Sequence, residues 1–129
     1  GATRALGGDS QELSSKFSLG QPVLVPGDMG TASWVLAGPV KGGNDAFSSS
    51  CHGAGRRLSR AAARRSVDSD SLISELESRG VHVRAKTPNV LSEEAPEAYK
   101  NVDDVISLTN QAGLARPVAR LRPISVIKG

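Results

Sequence analysis

The chain has 129 residues, a net charge of +3, 38% hydrophobic residues and only 3% aromatics, so a core must come from Val, Leu, Ile and Ala. That length fits one small domain or a piece of a larger one. A lone Cys51 excludes an internal disulfide, one Cys with two His falls short of a transition-metal ligand set, and no apolar run is long enough to cross a membrane.

Gly1-Ala2-Thr3-Arg4-Ala5 has no initiating Met, no signal pattern and no helical periodicity, and it reads as chain interrupted upstream. Gly7 to Ser18 is rich in Gly, Ser and Asp and reads as a loop that need not be ordered. Gln21 to Val25 predicts a strand, Pro26 to Gly30 a turn and Ser33 to Ala37 a second strand, together a loop-bearing hairpin. Gly38 to Gly43 is punctuation, and Asn44 to Phe47 predicts a helical turn leading into Ser48-Ser49-Ser50-Cys51-His52.

A helix is predicted from near Ala54, with Leu58, Ala61, Ala62 and Arg65 on one face. Asp68 or Ser69 caps a second helix that carries Leu72, Ile73 and Leu76 and stops at Gly80. Val81 to Ala85 predicts a strand, Thr87-Pro88-Asn89 a turn, and Glu93 to Lys100 an irregular or one-turn segment limited by Pro96. Asp103 to Ala112 predicts a further helix, with Val105, Ile106 and Leu108 available for burial and Gly113 as its stop. Val118 to Ile127 is β-like, with Pro123 at an edge or bend. Irregular alternation of the two kinds of element predicts an α+β arrangement of mixed strands and helices.

The chemistry concentrates in Cys51-His52-Gly53-Ala54-Gly55-Arg56-Arg57. Glycines let a backbone approach a ligand, backbone N–H groups at a helix start cradle anions, and the guanidinium pair supplies charge. An imidazole attacks phosphorus when one ring nitrogen is free and the other is held by a hydrogen bond that fixes the tautomer. The sequence does not name that partner. A plain loop with a surface or core histidine is the competing reading, and these residues alone leave both open. The arginines after it, Arg60, Arg64 and Arg65, either face the phosphates of a ligand or form a solvated face paired with Glu75 or Glu77.

Five separated blocks together resemble the C-terminal part of the RtcB family of RNA-splicing ligases. They are Gly1 to Ala5, Gly20 to Ser33, Cys51 to Arg56, Glu93 to Lys100, and Leu121 to Pro123 through the terminal Lys128-Gly129. The resemblance covers the whole chain in order. It implies that residues 1–129 are the C-terminal part of a larger catalytic domain rather than an independent one.

The activity implied is the GTP- and manganese-dependent joining of an RNA 3′-phosphate or 2′,3′-cyclic phosphate to a 5′-hydroxyl, through a guanylylated histidine at the position of His52. Transfer RNA exon halves are the implied substrate, ahead of RNA repair. Subunits of a tRNA-ligase complex and an activating protein are the implied partners, in the cytoplasm or nucleus. Gly53, Ala54, Gly55 and Arg56 then belong to the nucleotide site around the nucleophile. Ser33 matches a polar contact, Tyr99 an aromatic at the guanine pocket and Lys128 a contact to the base.

Asp28 stands where many members carry a hydroxyl residue. A carboxylate there would accept from guanine N–H groups and repel phosphate, which favours a base contact. Trp34 and Arg57 also depart from common versions, and Trp34 reads as core. The manganese ligands implied lie upstream of residue 1, so these residues alone are expected not to guanylylate themselves. The alternative is an RNA-binding or scaffold module without catalysis.

Overall fold

The computed structural model describes residues 1–129 as an α+β arrangement of seven strands and four α-helices, with three small sheets. The central sheet contains β2 (Pro22–Val25), β3 (Ser33–Ala37) and β6 (Arg116–Leu121), antiparallel in the order β2-β3-β6. In β2, Val23 and Val25 are buried while Pro22 and Leu24 are exposed, the period-two pattern of a strand with one covered face. The expected hairpin forms, pairing Val25 with Trp34 and Pro22 with Ala37.

Two prolines sit on the edge strands β2 and β6, where a missing donor costs little. The single β-like run expected at the end divides at Pro123. β6 pairs with β3, whereas β7 (Ser125–Lys128) leaves that sheet and runs parallel to β5 (His82–Ala85).

β1 (Ala2–Arg4) and β4 (Ser49–Cys51) form the third sheet, with Ala2 opposite Cys51 and Thr3 opposite Ser50. Neither carries an alternating apolar pattern, so neither is legible locally. Each exists by pairing with the other. Between β3 and β4 the expected helical turn is replaced by a non-helical one, since Phe47 and Ser48 both take φ 54, in the left-handed region.

Helix α1 (Arg60–Ser66) starts six residues later than expected, behind an N-cap in which Ser59 accepts from the Ala62 amide. The cause lies in the preceding loop: Gly55 takes φ +77, and the backbone beside it bonds to the Tyr99 segment instead of propagating a helix. The buried residue of α1 is Ala63, not the expected face. Helix α2 (Ser69–Ser78) follows its pattern. Asp68 accepts from the Ser71 amide, Leu72 and Leu76 are buried, and Gly80 (φ +79) ends it.

The segment expected as a turn at Thr87 is instead the start of α3 (Pro88–Glu93). Thr87 caps it by accepting from the Val90 amide and Pro88 occupies the first turn, where its missing N–H is harmless. A single 3-10 turn at Pro96–Ala98 matches the expected one-turn segment. In α4 (Val102–Gln111), Asn101 caps the start and Asp103 and Asp104 complement the helix dipole. Its buried stripe is Val102, Ile106 and Thr109, at i, i+4 and i+7, leaving Leu108 exposed against expectation.

Two apolar clusters result. The first joins Val23, Val25 and Leu36 of the central sheet to Ala54, Val102 and Ile106. The second joins Met29 to Leu72, Leu76, Val81, Val83, Leu91 and Ala95. The β2–β3 turn spans both, with Val25 and Ala32 in one and Met29 in the other. No helix is long and apolar enough to cross a membrane.

Candidate active site

The loop after β4 is fixed from two sides. The Ala54 amide donates to the Pro26 carbonyl at 3.0 Å, and Ala54 itself is buried in the first cluster. On the other side the Arg57 amide donates to Ala98 O at 2.8 Å and the Lys100 amide to Gly55 O at 2.9 Å, with Arg56 and Tyr99 paired as an isolated bridge. A Cβ on Gly53 would lie 3.2 Å from Pro26 O, so this approach is close. The loop is therefore held by backbone bonds, while His52 at its start stays exposed.

His52 has the partner that the sequence did not name. The β1–β4 pairing brings Thr3 alongside, and Thr3 Oγ1 lies 3.3 Å from His52 Nδ1. In the neutral tautomer with its proton on Nδ1, the ring donates to Thr3 and leaves Nε2 unprotonated. A helix start does not contribute at Gly53–Gly55, because α1 begins only at Arg60.

A cavity of about 430 Å³, within the size range of small-molecule sites, opens where the β2–β3 turn faces the β6–β7 connection. Pro26, Asp28, Met29 and Ser33 line it from the β2–β3 segment, and Arg122, Val126 and Lys128 from the end of the chain. Three of the expected site residues, Asp28, Ser33 and Lys128, thus share one cavity. Pro26 joins that cavity to the His52 loop, since it lines the one and accepts the Ala54 amide of the other.

Asp28 is engaged by its own turn. Its Oδ1 accepts from the amides of Gly30 at 2.8 Å and Thr31 at 2.9 Å, and its Oδ2 from the Thr31 hydroxyl at 2.6 Å. The turn also explains Gly27, where a Cβ would lie 2.0 Å from the Ala32 carbonyl. Ser33 Oγ lies 3.5 Å from the Gly27 amide, a weak contact that leaves the hydroxyl free for a ligand.

Arg56, Tyr99 and Lys128 converge on Glu94, a residue that sequence reasoning passed over. Glu94 Oε2 accepts from the Tyr99 hydroxyl at 2.6 Å and lies 3.5 Å from Lys128 Nζ, and its Oε1 accepts from Arg56 at 3.2 Å. The Arg56 guanidinium also donates to Tyr99 Oη at 3.1 Å, to Leu58 O and to Glu93 O, and it lies 4.9 Å from the Tyr99 ring centroid. Arg56 is thereby committed to internal contacts that shape the site.

Burial works against ionisation of Glu94, but the Tyr99 hydrogen bond and the charges of Lys128 and Arg56 outweigh it and hold its pKa below the usual 4.5. Burial first, then the hydrogen bond to Glu94 and its charge, raise the Tyr99 phenol above 10.0. At neutral pH the pair is therefore a carboxylate accepting from a protonated phenol. The signal that could have found Glu94 is its place in the Glu93-Glu94-Ala95-Pro96 block, between a helix end and the aromatic.

Along α1, Arg60 and Arg64 pair with Glu93 at 3.7 and 2.7 Å, not with Glu75, which pairs with Arg79. Trp34 packs against the first cluster and donates to Asp103 at 2.8 Å, in line with the core reading. Nowhere do three His, Cys, Asp or Glu side chains come together in a way that could hold a metal ion. The donor set of these residues does not fit a manganese site of its own.

A family model described as "RtcB: tRNA-splicing ligase RtcB" matches residues 1–129. The chain is 52% identical over 130 residues to tRNA-splicing ligase RtcB of Pyrococcus furiosus, covering all of this chain and 13% of that protein. It is 52% identical to the protein of the same name from Thermococcus kodakarensis, of which it covers 27%. It is 51% identical to RNA-splicing ligase RtcB of Mycobacterium tuberculosis, of which it covers 30%. The chain therefore spans less than a third of the length of these relatives.

Proposed function

Since the chain belongs to the RtcB family, matched over every residue, we propose that it is the C-terminal part of a GTP-dependent RNA ligase and carries its covalent nucleophile, His52. The observation that carries this reading is an exposed imidazole with Thr3 beside its Nδ1, on a loop whose Ala54 amide is bonded to Pro26 in the lining of the cavity that holds Asp28, Ser33 and Lys128.

His52 Nε2 attacks the α-phosphorus of GTP, forming an N–P bond as pyrophosphate leaves. Nδ1–H, donating to Thr3, stabilises the charge that develops on the ring. An RNA 3′-phosphate oxygen then displaces the histidine and takes over GMP. The exon's 5′-hydroxyl attacks the activated 3′-phosphorus, closing the phosphodiester and releasing GMP. Splitting one displacement with a poor leaving group into three with good ones is the gain.

In this account the base lies in the cavity. Lys128 donates to a guanine acceptor, Ser33 supplies a further polar contact, and Tyr99, outside the cavity lining, flanks the base from beside Lys128, to which Glu94 links it. Asp28, its lone pairs partly used by the turn, faces the base N–H edge rather than a phosphate. Gly53, Ala54 and Gly55 present backbone beside the transferred phosphate. Manganese, supplied by ligands outside these residues, would polarise the phosphate. Transfer RNA exon halves are the proposed substrate.

The test is ligation of a 3′-phosphate RNA to a 5′-hydroxyl RNA by a full-length protein carrying this segment. His52→Ala is expected to lower ligation by at least about a thousandfold. Ligation retained by that variant would remove His52 from the chemistry, and salt-sensitive RNA binding without ligation by either protein would favour a scaffold module.

A further inference from the structure

Glu94, at the C-terminal end of α3, gathers three donors from three separate parts of the chain. Arg56 comes from the loop after β4, Tyr99 follows the 3-10 turn, and Lys128 closes β7. We propose that Glu94 is a positioning residue for guanine recognition, holding the Lys128 ammonium and the Tyr99 phenol as one unit beside the cavity. The inference rests on the ligase reading above and deepens it.

Geometry and charge carry the inference. Lys128 lies in a two-stranded sheet, a marginal support on its own, and Glu94 is the carboxylate that pairs with it. Held at 3.5 Å, the ammonium spends at most one of its three donors there, leaving the others for a ligand in the cavity it lines. The Lys128 side chain is 34% exposed and so remains reachable.

Tyr99 is fixed more tightly. Its hydroxyl donates to Glu94 at 2.6 Å and accepts from Arg56 at 3.1 Å, which sets the ring plane. Arg56 binds the second carboxylate oxygen, so two cations meet one acid. The cluster keeps a net positive charge, and a phosphate-bearing ligand meets no bare carboxylate there. Removing the Glu94 charge would free Lys128 and loosen the ring without disturbing His52, which neither touches.

The experiment uses the full-length protein and reads both the Kd for GMP by calorimetry and GTP-dependent labelling of His52. In Glu94→Gln, the Kd and the half-saturating GTP concentration are expected to rise about tenfold, the size of one lost charge-assisted contact. The maximal labelling rate is expected to stay within about threefold, a split that a general loss of structure would not produce.

Because Glu94 acts through Lys128 and Tyr99, Glu94→Gln is expected to add less than about threefold in a background that carries both Lys128→Met and Tyr99→Phe. Tyr99→Phe, which keeps the ring and loses the tie, is expected to shift the same constants in the same direction and stands in if Glu94→Gln does not fold. Wild-type labelling with unchanged Kd in Glu94→Gln, or a full tenfold effect on top of Lys128→Met with Tyr99→Phe, would overturn the positioning role alone. A folded wild type that neither binds GMP nor takes label would overturn the ligase reading and this inference together.

Discussion

At the scale of single residues, the site depends on contacts that are long in sequence and short in space. Thr3 and His52 are 49 positions apart and meet because β1 pairs with β4. Thr3→Val keeps the shape and β-propensity but removes the hydrogen-bond partner of Nδ1. We expect it to lower the rate of His52 labelling by about tenfold, with the half-saturating GTP concentration nearly unchanged. Single-turnover labelling across a GTP series checks this, and an unchanged rate would show that Thr3 does not orient the ring. The need for such a partner was legible from the imidazole's chemistry, but its identity was not, since nothing local in Gly1-Ala2-Thr3 announces a strand. Glu94 escaped for a similar reason: an acid two residues before a proline looks solvated until Arg56, Tyr99 and Lys128 are seen to close on it.

At the scale of elements, local capping chemistry was the readable part. Asp68 before α2 and Gly80 after it mark that helix in the sequence and in the structure alike. Thr87-Pro88 carried a start signal of the same kind, and reading it as a turn missed α3. The late start of α1 was not readable, because the bonds from Arg57 and Lys100 that straighten its approach come from chain about 45 residues away. One interelement tie gives a pH test. Asp103 on α4 accepts a paired hydrogen bond from Arg120 on β6 and another from Trp34 on β3. The Arg120 bond foremost, against slight burial and aided by Trp34, lowers the Asp103 pKa from 3.8. Its contribution to stability is therefore complete above about pH 4 and is lost as pH falls through the lower folded value. Asp103→Asn should lower the thermal midpoint at pH 7 by about 1–3 °C, and the gap from wild type should narrow in acid. A gap that is constant with pH in thermal melts would assign the effect to packing instead.

For the molecule as a whole, one wall of the cavity is the β2–β3 turn, whose neighbouring residues Val25 and Ala32 belong to one apolar cluster and whose Met29 belongs to the other. Weakening either cluster should therefore reach the site. Leu76 is nearly fully buried in the second cluster, and Leu76→Ala should cost about 2–5 kcal/mol. Denaturant unfolding checks the cost, and the cluster's hold on Met29 should make GMP binding weaken as well. A large loss of stability with unchanged GMP affinity would uncouple the turn from that cluster. The α+β class was legible because strand and helix signals alternate irregularly. The division into three sheets was not, since it depends on β7 leaving β6 at Pro123 to pair with β5. Residues 1–129 by themselves gather no metal-binding group, and we expect them, purified alone with GTP and manganese, to take no label.

The central claim is that His52 forms the covalent bond. The measurement that tests it most directly is incubation of a full-length protein carrying this segment with labelled GTP and manganese, followed by mapping of the adduct by mass spectrometry in wild type and His52→Ala. An acid-labile guanylyl group on His52, absent from the variant, is the expected result. A guanylyl group found on any other residue, or label of equal strength in the variant, would contradict the account.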